Sequence, residues 1–121
     1  MISKNHLWYQ EKDDRITIGV TDFISQEKGE VLRVVLPHAG NEVYVDEELF
    51  SIDFEEGTLV FRSYFSGEII EVNGEVEINP ELVDDSPYEH GWCMIFEPHN
   101  MSFEDLMDPD EYIEYLQEVL I

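Results

Sequence analysis

Short apolar runs separated by turn signals recur along the chain and predict a mainly β fold. The segment Ile16-Thr17-Ile18-Gly19-Val20 alternates with the period of two expected of a half-buried strand. The same pattern predicts further strands at 7–9, 31–36, 42–45, 49–54, 58–61, 68–72 and 92–96. Turns are predicted at Asp13-Asp14, Glu55-Glu56-Gly57, Ser66-Gly67 and Asn73-Gly74.

Two helices interrupt this β pattern. Thr21 is a predicted N-cap and Gly29 a predicted C-terminal cap, which places a short helix near 22–28. Asp108-Pro109-Asp110-Glu111 combines a capping Asp, a Pro at the first helical position and a Glu three residues after the cap, and predicts a helix near 109–120. Its apolar face should cover the protein's own sheet rather than a partner, and consists of Tyr112, Ile113, Leu116, Val119 and Leu120.

The charge balance narrows the classes of partner. The 121 residues include 29 Asp and Glu but only 6 Lys and Arg, for a formal net charge of −23. This balance argues against nucleic-acid binding and against docking on anionic lipid, because both require clustered basic side chains. It favours a basic protein partner, a bound cation or simply a soluble surface. The length and the 43% hydrophobic content predict one globular domain over 1–121.

Cysteine usage and the N-terminal segment favour a cytoplasmic protein. Cys93 is the single cysteine, so an internal disulfide is excluded, and the first residues lack the apolar core of a signal peptide. No run of about 20 apolar residues is present to span a membrane. His90 and Cys93 are not predicted to form a catalytic pair, because an odd spacing on a strand places them on opposite faces.

Several motifs, in order along nearly the whole chain, resemble the H-protein of the glycine cleavage system, which has the lipoyl-carrier fold. They include His6-Leu7-Trp8, Ile18-Gly19-Val20-Thr21-Asp22, Leu36-Pro37-His38-Ala39-Gly40, Ser66-Gly67-Glu68-Ile69, Asn79-Pro80-Glu81-Leu82-Val83 and Gly91-Trp92. The resemblance implies a flattened β-barrel or sandwich hybrid. It also implies a lysine at a hairpin tip that carries lipoate through an amide bond and shuttles an aminomethyl group between enzymes.

The lysine of that motif is absent here. Ungapped counting between the flanking motifs maps the family's Glu-Ser-Val-Lys-Ala onto Asp53-Phe54-Glu55-Glu56-Gly57, so Glu56 occupies the lipoyl-lysine position. A carboxylate cannot replace the amine that lipoylation acylates. The only lysines are Lys4, Lys12 and Lys28, and neither Lys12 nor Lys28 is predicted on the carrier hairpin. We therefore expect no lipoate, no other cofactor and no metal.

The favoured function is a non-lipoylated, non-enzymatic binding or regulatory module. It would engage glycine-cleavage or lipoate-handling enzymes through a tip of Asp53, Phe54, Glu55, Glu56 and Gly57. Phe54 is predicted either as core or as an exposed anchor at that tip. The acidic runs at 46–48 and 84–85 are predicted to be solvated surface, or part of a docking face. Two alternatives remain: a working lipoyl carrier modified at Lys12 or Lys28, and an acidic domain reused for an unrelated basic partner or a cation.

Overall fold

The computed structural model describes residues 1–120, without the side chain of Leu120. Its eight strands are β1 (Leu7–Lys12), β2 (Arg15–Val20), β3 (Val31–Val35), β4 (Glu42–Val43), β5 (Glu48–Phe54), β6 (Gly57–Arg62), β7 (Gly67–Val72) and β8 (Met94–Pro98). Its four helices are α1 (Asp22–Lys28), α2 (Gly74–Ile78), α3 (Glu81–Asp85) and α4 (Pro109–Leu120). None of the helices described is long and apolar enough to cross a membrane.

The strands form two antiparallel sheets. One has five strands in the order β1-β2-β8-β7-β4, and the other has three in the order β3-β5-β6. The sheets do not close into a barrel, so the sandwich form of the predicted fold is the one observed. Alternate residues of both sheets face a shared apolar core that includes Ile18, Phe96, Ile52 and Phe61.

Most predicted elements are confirmed, with shifts at their ends. Asp13 and Asp14 have φ of 53° and 63° and join β1 to β2 in a tight hairpin, because short Asp side chains tolerate the left-handed region. The last strand begins at Met94 rather than at the predicted Trp92. Likewise, β4 ends at Val43, since Val45 donates its backbone N–H to the Ser66 hydroxyl instead of to a neighbouring strand.

The prediction of a turn at Asn73-Gly74 was wrong. Asn73 caps α2, and its side-chain oxygen accepts a hydrogen bond from the Glu75 amide at 3.2 Å. Its Nδ2 donates to the carbonyls of His90 and Trp92 at 3.0 and 2.8 Å. Asn is favoured at N-caps as well as in hairpin turns, and these long-range bonds select the cap.

The C-terminal helix begins as predicted but packs through a different face. Asp108 Oδ1 accepts from the Glu111 amide at 2.8 Å and Glu111 Oε1 from the Asp108 amide at 3.2 Å, which is a capping box. Tyr112 is 6% exposed, whereas Ile113 and Val119 are 54% and 57% exposed. The helix therefore covers its own domain with a narrower face than predicted, centred on Tyr112; the side chain of Leu120 lies outside the part described.

Candidate functional site

The predicted tip is the turn of the β5–β6 hairpin. Phe54 pairs with Gly57, so Glu55 and Glu56 form the two-residue connection. Both carboxyl-bearing side chains are exposed. Gly57 has φ of 125°, a conformation that only glycine adopts without strain, so the Ala that follows the family's lysine would be strained at this position. The turn therefore differs from the family motif in backbone requirement as well as in side-chain chemistry.

The tip is tied to the loop between α1 and β3. The Glu55 amide donates to the Glu30 carbonyl at 3.0 Å, and the Glu56 amide donates to the Lys28 carbonyl at 3.1 Å. In return, the Glu30 amide donates to Glu55 Oε1 at 2.7 Å. Three hydrogen bonds thus join the two segments, and Glu55 contributes to two of them. Glu55 is a structural residue of the tip, whereas the Glu56 side chain is free to face a partner.

The other two predicted tip residues play structural roles. Phe54 is 3% exposed and belongs to the main core. Of the two predicted alternatives, the core position is therefore the one observed, and Phe54 is not an exposed anchor. The Asp53 carboxylate accepts a hydrogen bond from the Thr58 hydroxyl at 2.6 Å across the hairpin. Only the turn itself therefore remains as an exposed candidate contact.

The α1–β3 loop is a part of this site that the sequence did not reveal. Gly29 was predicted only as a helix cap, but a Cβ on Gly29 would lie 2.9 Å from Glu55 Oε1 and 3.0 Å from Glu55 Cβ. Its φ of 84° and ψ of −166° also favour glycine. The loop places Lys28 beside the Glu56 position, whereas Lys12 lies on the β1–β2 hairpin of the other sheet. The sequence Lys28-Gly29-Glu30 indicates a helix end, but it does not indicate that this loop contacts the β5–β6 turn.

Carboxylates outside the tip also have defined partners. The backbone N–H of Val31 donates to Asp84 Oδ2 at 2.9 Å, and that of Leu36 to Glu77 Oε2 at 3.4 Å. These side chains, from α3 and α2, cap the edge of β3 at its first residue and just beyond its last. Glu47 Oε1 accepts from the Tyr44 amide at 2.7 Å. The acidic runs at 46–48 and 84–85 thus include structural carboxylates as well as solvated ones.

A buried hydrogen-bond chain joins the start of the protein to α4. The Tyr112 hydroxyl lies 2.8 Å from His6 Nδ1 and 2.8 Å from the Thr21 hydroxyl. Burial raises the pKa of Tyr112 to about 12 and lowers that of His6. Thr21 stands at the N-cap as predicted, but its hydroxyl makes this tertiary bond in place of a capping bond. The chain holds α4 against the fold and carries no evident reaction chemistry.

His90 and Cys93 do not form a catalytic pair. Cys93 is fully buried and His90 is exposed. Burial raises the pKa of the Cys93 thiol to about 12, which keeps it protonated at neutral pH. Within residues 1–120, no three His, Cys, Asp or Glu side chains are grouped closely enough to hold a metal ion. The cation hypothesis therefore gains no support from the geometry.

Comparisons with known proteins agree on one family. The family model described as Glycine cleavage H-protein matches residues 1–119. The chain is 39% identical over 117 residues to the glycine cleavage system H protein of Halalkalibacterium halodurans, covering 96% of this chain and 91% of that protein. For the H protein of Coprothermobacter proteolyticus the identity is 35% over 118 residues, covering 96% and 93%.

The fold has a solved counterpart. A crystal structure of a glycine cleavage system H protein from Mycobacterium marinum superposes with a TM-score of 0.87 at 22% identity. The match covers 96% of this chain and 94% of the other. This likeness confirms the predicted fold.

Proposed function

Since the chain belongs to the glycine cleavage H-protein family, we propose that it is a non-lipoylated member that acts as a binding or regulatory module. The observation that carries this proposal is the tip. Glu56 stands at the lipoyl-lysine position, and its backbone is held by the Lys28 carbonyl. A carboxylate has no amine for lipoate to acylate, and a tethered turn presents it as a fixed feature rather than as a swinging arm.

The module works by shape and charge rather than by catalysis. The H-protein scaffold is retained, so enzymes that bind H-proteins or modify them with lipoate are the proposed partners. The protein would compete with a true carrier for these enzymes or scaffold them, in the cytoplasm. The exposed Glu55-Glu56 turn and the net charge of −23 favour a basic surface on that partner.

The test is transfer of lipoate by a lipoate ligase, followed by intact-mass measurement. The wild-type chain should gain no lipoyl mass, whereas a genuine H-protein in the same reaction should be modified. The variant designed to gain the lipoyl mass is Glu56→Lys, with Phe54 and Gly57 left in place. Replacing those two to match the whole family motif would open the core and strain the turn. Lipoylation of the wild-type chain would refute the proposal.

One observation favours a second candidate, a lipoyl carrier that uses Lys28. The Lys28 carbonyl accepts the Glu56 amide at 3.1 Å, so the backbone of Lys28 adjoins the family's attachment position. If Lys28 is the acceptor, lipoylation should be lost in Lys28→Arg and retained in Lys12→Arg. If both variants and the wild type remain unmodified, this candidate fails and the first one stands.

Reuse of the acidic domain for an unrelated basic protein is tested by a tagged pull-down from the native organism. Partners that are held by charge should be released at high salt, because salt screens exposed charges beyond about 10 Å at 0.1 M. Recovery of glycine-cleavage or lipoate-handling enzymes would support the H-protein-like role. Recovery of only an unrelated basic protein would contradict it.

A further inference from the structure

Three of the four edge strands are short or covered. The edge of β3 is capped near both ends, where Asp84 accepts from the Val31 amide and Glu77 from the amide of Leu36, the residue after the strand. The N-terminal segment covers β1, where Ile2 bridges Trp8 and the Tyr9 amide donates to the Met1 carbonyl at 2.8 Å. β4 has only two residues. Natural proteins protect sheet edges in these ways because an open edge recruits other strands.

The fourth edge strand, β6, has six residues, and its outer edge is contacted by Asn5 at the Arg62 end. The Asn5 side-chain amide reaches the Arg62 carbonyl at 3.1 Å, which shows that this carbonyl points away from β5. Hydrogen-bonding direction alternates along a strand, so the backbone groups of Thr58 and Val60 point to the same side. Among residues 1–120, no partner is found for them on that side. Both residues are exposed, Val60 to 46%.

The first five residues of β6 lack the usual protection, and its one charged residue, Arg62, stands at the end away from the tip. Residues 57–61 read Gly-Thr-Leu-Val-Phe, with no charge and no Pro, in a chain that is 29% charged. β-branched and aromatic residues favour strand pairing. A cleft of about 370 Å³ runs beside this edge, between Val60 and Arg62 on one side and the segment 3–5 on the other.

The charge along this edge changes sign. Glu55 and Glu56 lie at its tip end, while the cleft at the other end is lined by two basic residues, Arg62 and Lys4, and one acidic residue, Asp46. We propose that β6 accepts an extended segment of a protein partner by strand addition. The segment is apolar and β-branched at its centre and has Lys or Arg at the end that meets the tip. Antiparallel pairing is the more stable arrangement, so these basic residues lie at the C-terminal end of the segment.

Pairing with a second copy is the competing occupant, and the charge argues against it. Two chains of −23 repel each other as they approach, although salt weakens this repulsion. The strand-addition proposal does not depend on the function proposed above. A lipoylated chain would present the same edge, so the failure of either idea leaves the other standing.

The probe is the capped peptide acetyl-Thr-Val-Thr-Val-Thr-Lys-Lys-amide, added to the full-length chain in an NMR titration. Amide shifts should concentrate at Thr58 and Val60. Val60→Pro removes one edge-facing donor without touching the pairing with β5, and should weaken binding about tenfold. Val60→Thr keeps the donor and should bind within about twofold of wild type. A peptide ending in Glu-Glu should bind much more weakly.

Each contrary outcome overturns a stated part of the proposal. If the lysine peptide causes no shifts on β6 at millimolar concentration, strand addition is wrong. Equal binding of the lysine and glutamate peptides refutes the charge assignment. A dimer in sedimentation that is lost in Val60→Pro identifies a second copy as the occupant. Should Val60→Pro fail to fold, the peptide N-methylated at every Thr and Val residue replaces it, and unchanged affinity for that peptide would refute pairing at the edge.

Discussion

Gly29→Ala is the most direct test of the tether between the tip and the α1–β3 loop. An Ala there must adopt φ of 84° and ψ of −166°, a region nearly restricted to glycine, which costs about 1–3 kcal/mol. Its Cβ would also lie 2.9 Å from Glu55 Oε1. The carboxylate can move away, but it then loses its hydrogen bond to the Glu30 amide, for about 1 kcal/mol more. We expect a total loss of about 2–4 kcal/mol in the free energy of unfolding.

The assay is urea unfolding followed by circular dichroism, where this loss lowers the midpoint by about 1–2 M. Gly40→Ala is the matched control, because Gly40 has φ of 93° but a Cβ added there would meet no atom within 4 Å. The loss of unfolding free energy in Gly40→Ala should therefore reflect backbone strain alone. In a Glu55→Ala background the hydrogen bond is already absent, so Gly29→Ala should cost about 1 kcal/mol less than in wild type. An equal cost in both backgrounds would refute the contribution of the Glu55 carboxylate to the tether.

Five further outcomes are expected. Asp84→Ala should destabilise the fold by about 1–3 kcal/mol in urea, because it leaves a β3 amide without its acceptor, whereas the exposed neighbour Asp85→Ala should have little effect. Phe54→Ala should lower the free energy of unfolding by about 3–5 kcal/mol, whereas Glu56→Ala should hardly change it. The reverse order would show that Phe54 is not a core residue. The Cys93 thiol should resist a thiol reagent at pH 8 until the chain unfolds. The free energy of unfolding should fall from pH 9 towards 12, because the pKa of this thiol is near 9.0 in the unfolded chain and about 12 in the folded one. Added salt should raise Tm, because it screens the self-repulsion of a chain with net charge −23, and an unchanged Tm would contradict this.

Local patterns were enough to predict the class and most of the elements. Period-two alternation identified β2, and the capping box at Asp108 identified the start of α4. These signals depend on neighbours within a few residues, so they survive without knowledge of the tertiary structure. The family motifs extended the prediction to the whole fold, which the structural match confirms.

Local signals failed where one sequence suits two environments. Asn73-Gly74 fits a hairpin turn and a helix cap equally, and only the distant carbonyls of His90 and Trp92 select the cap. Thr21 is a sound N-cap residue, but Tyr112, 91 residues away, takes its hydroxyl. Such choices depend on contacts that the chain makes only after it has folded.

The candidate site shows the same division. The sequence alone determined that residues 46–61 contain no lysine, and ungapped counting between the family motifs predicts Glu56 at the lipoyl-lysine position. The tertiary structure alone decided that Phe54 is buried, that Glu55 is a tether and that Lys28 adjoins the tip. It also decided that β6 lies at the edge of its sheet. Burial, edge exposure and long-range hydrogen bonds depend on how the two sheets pack, and local sequence carries little information about that packing.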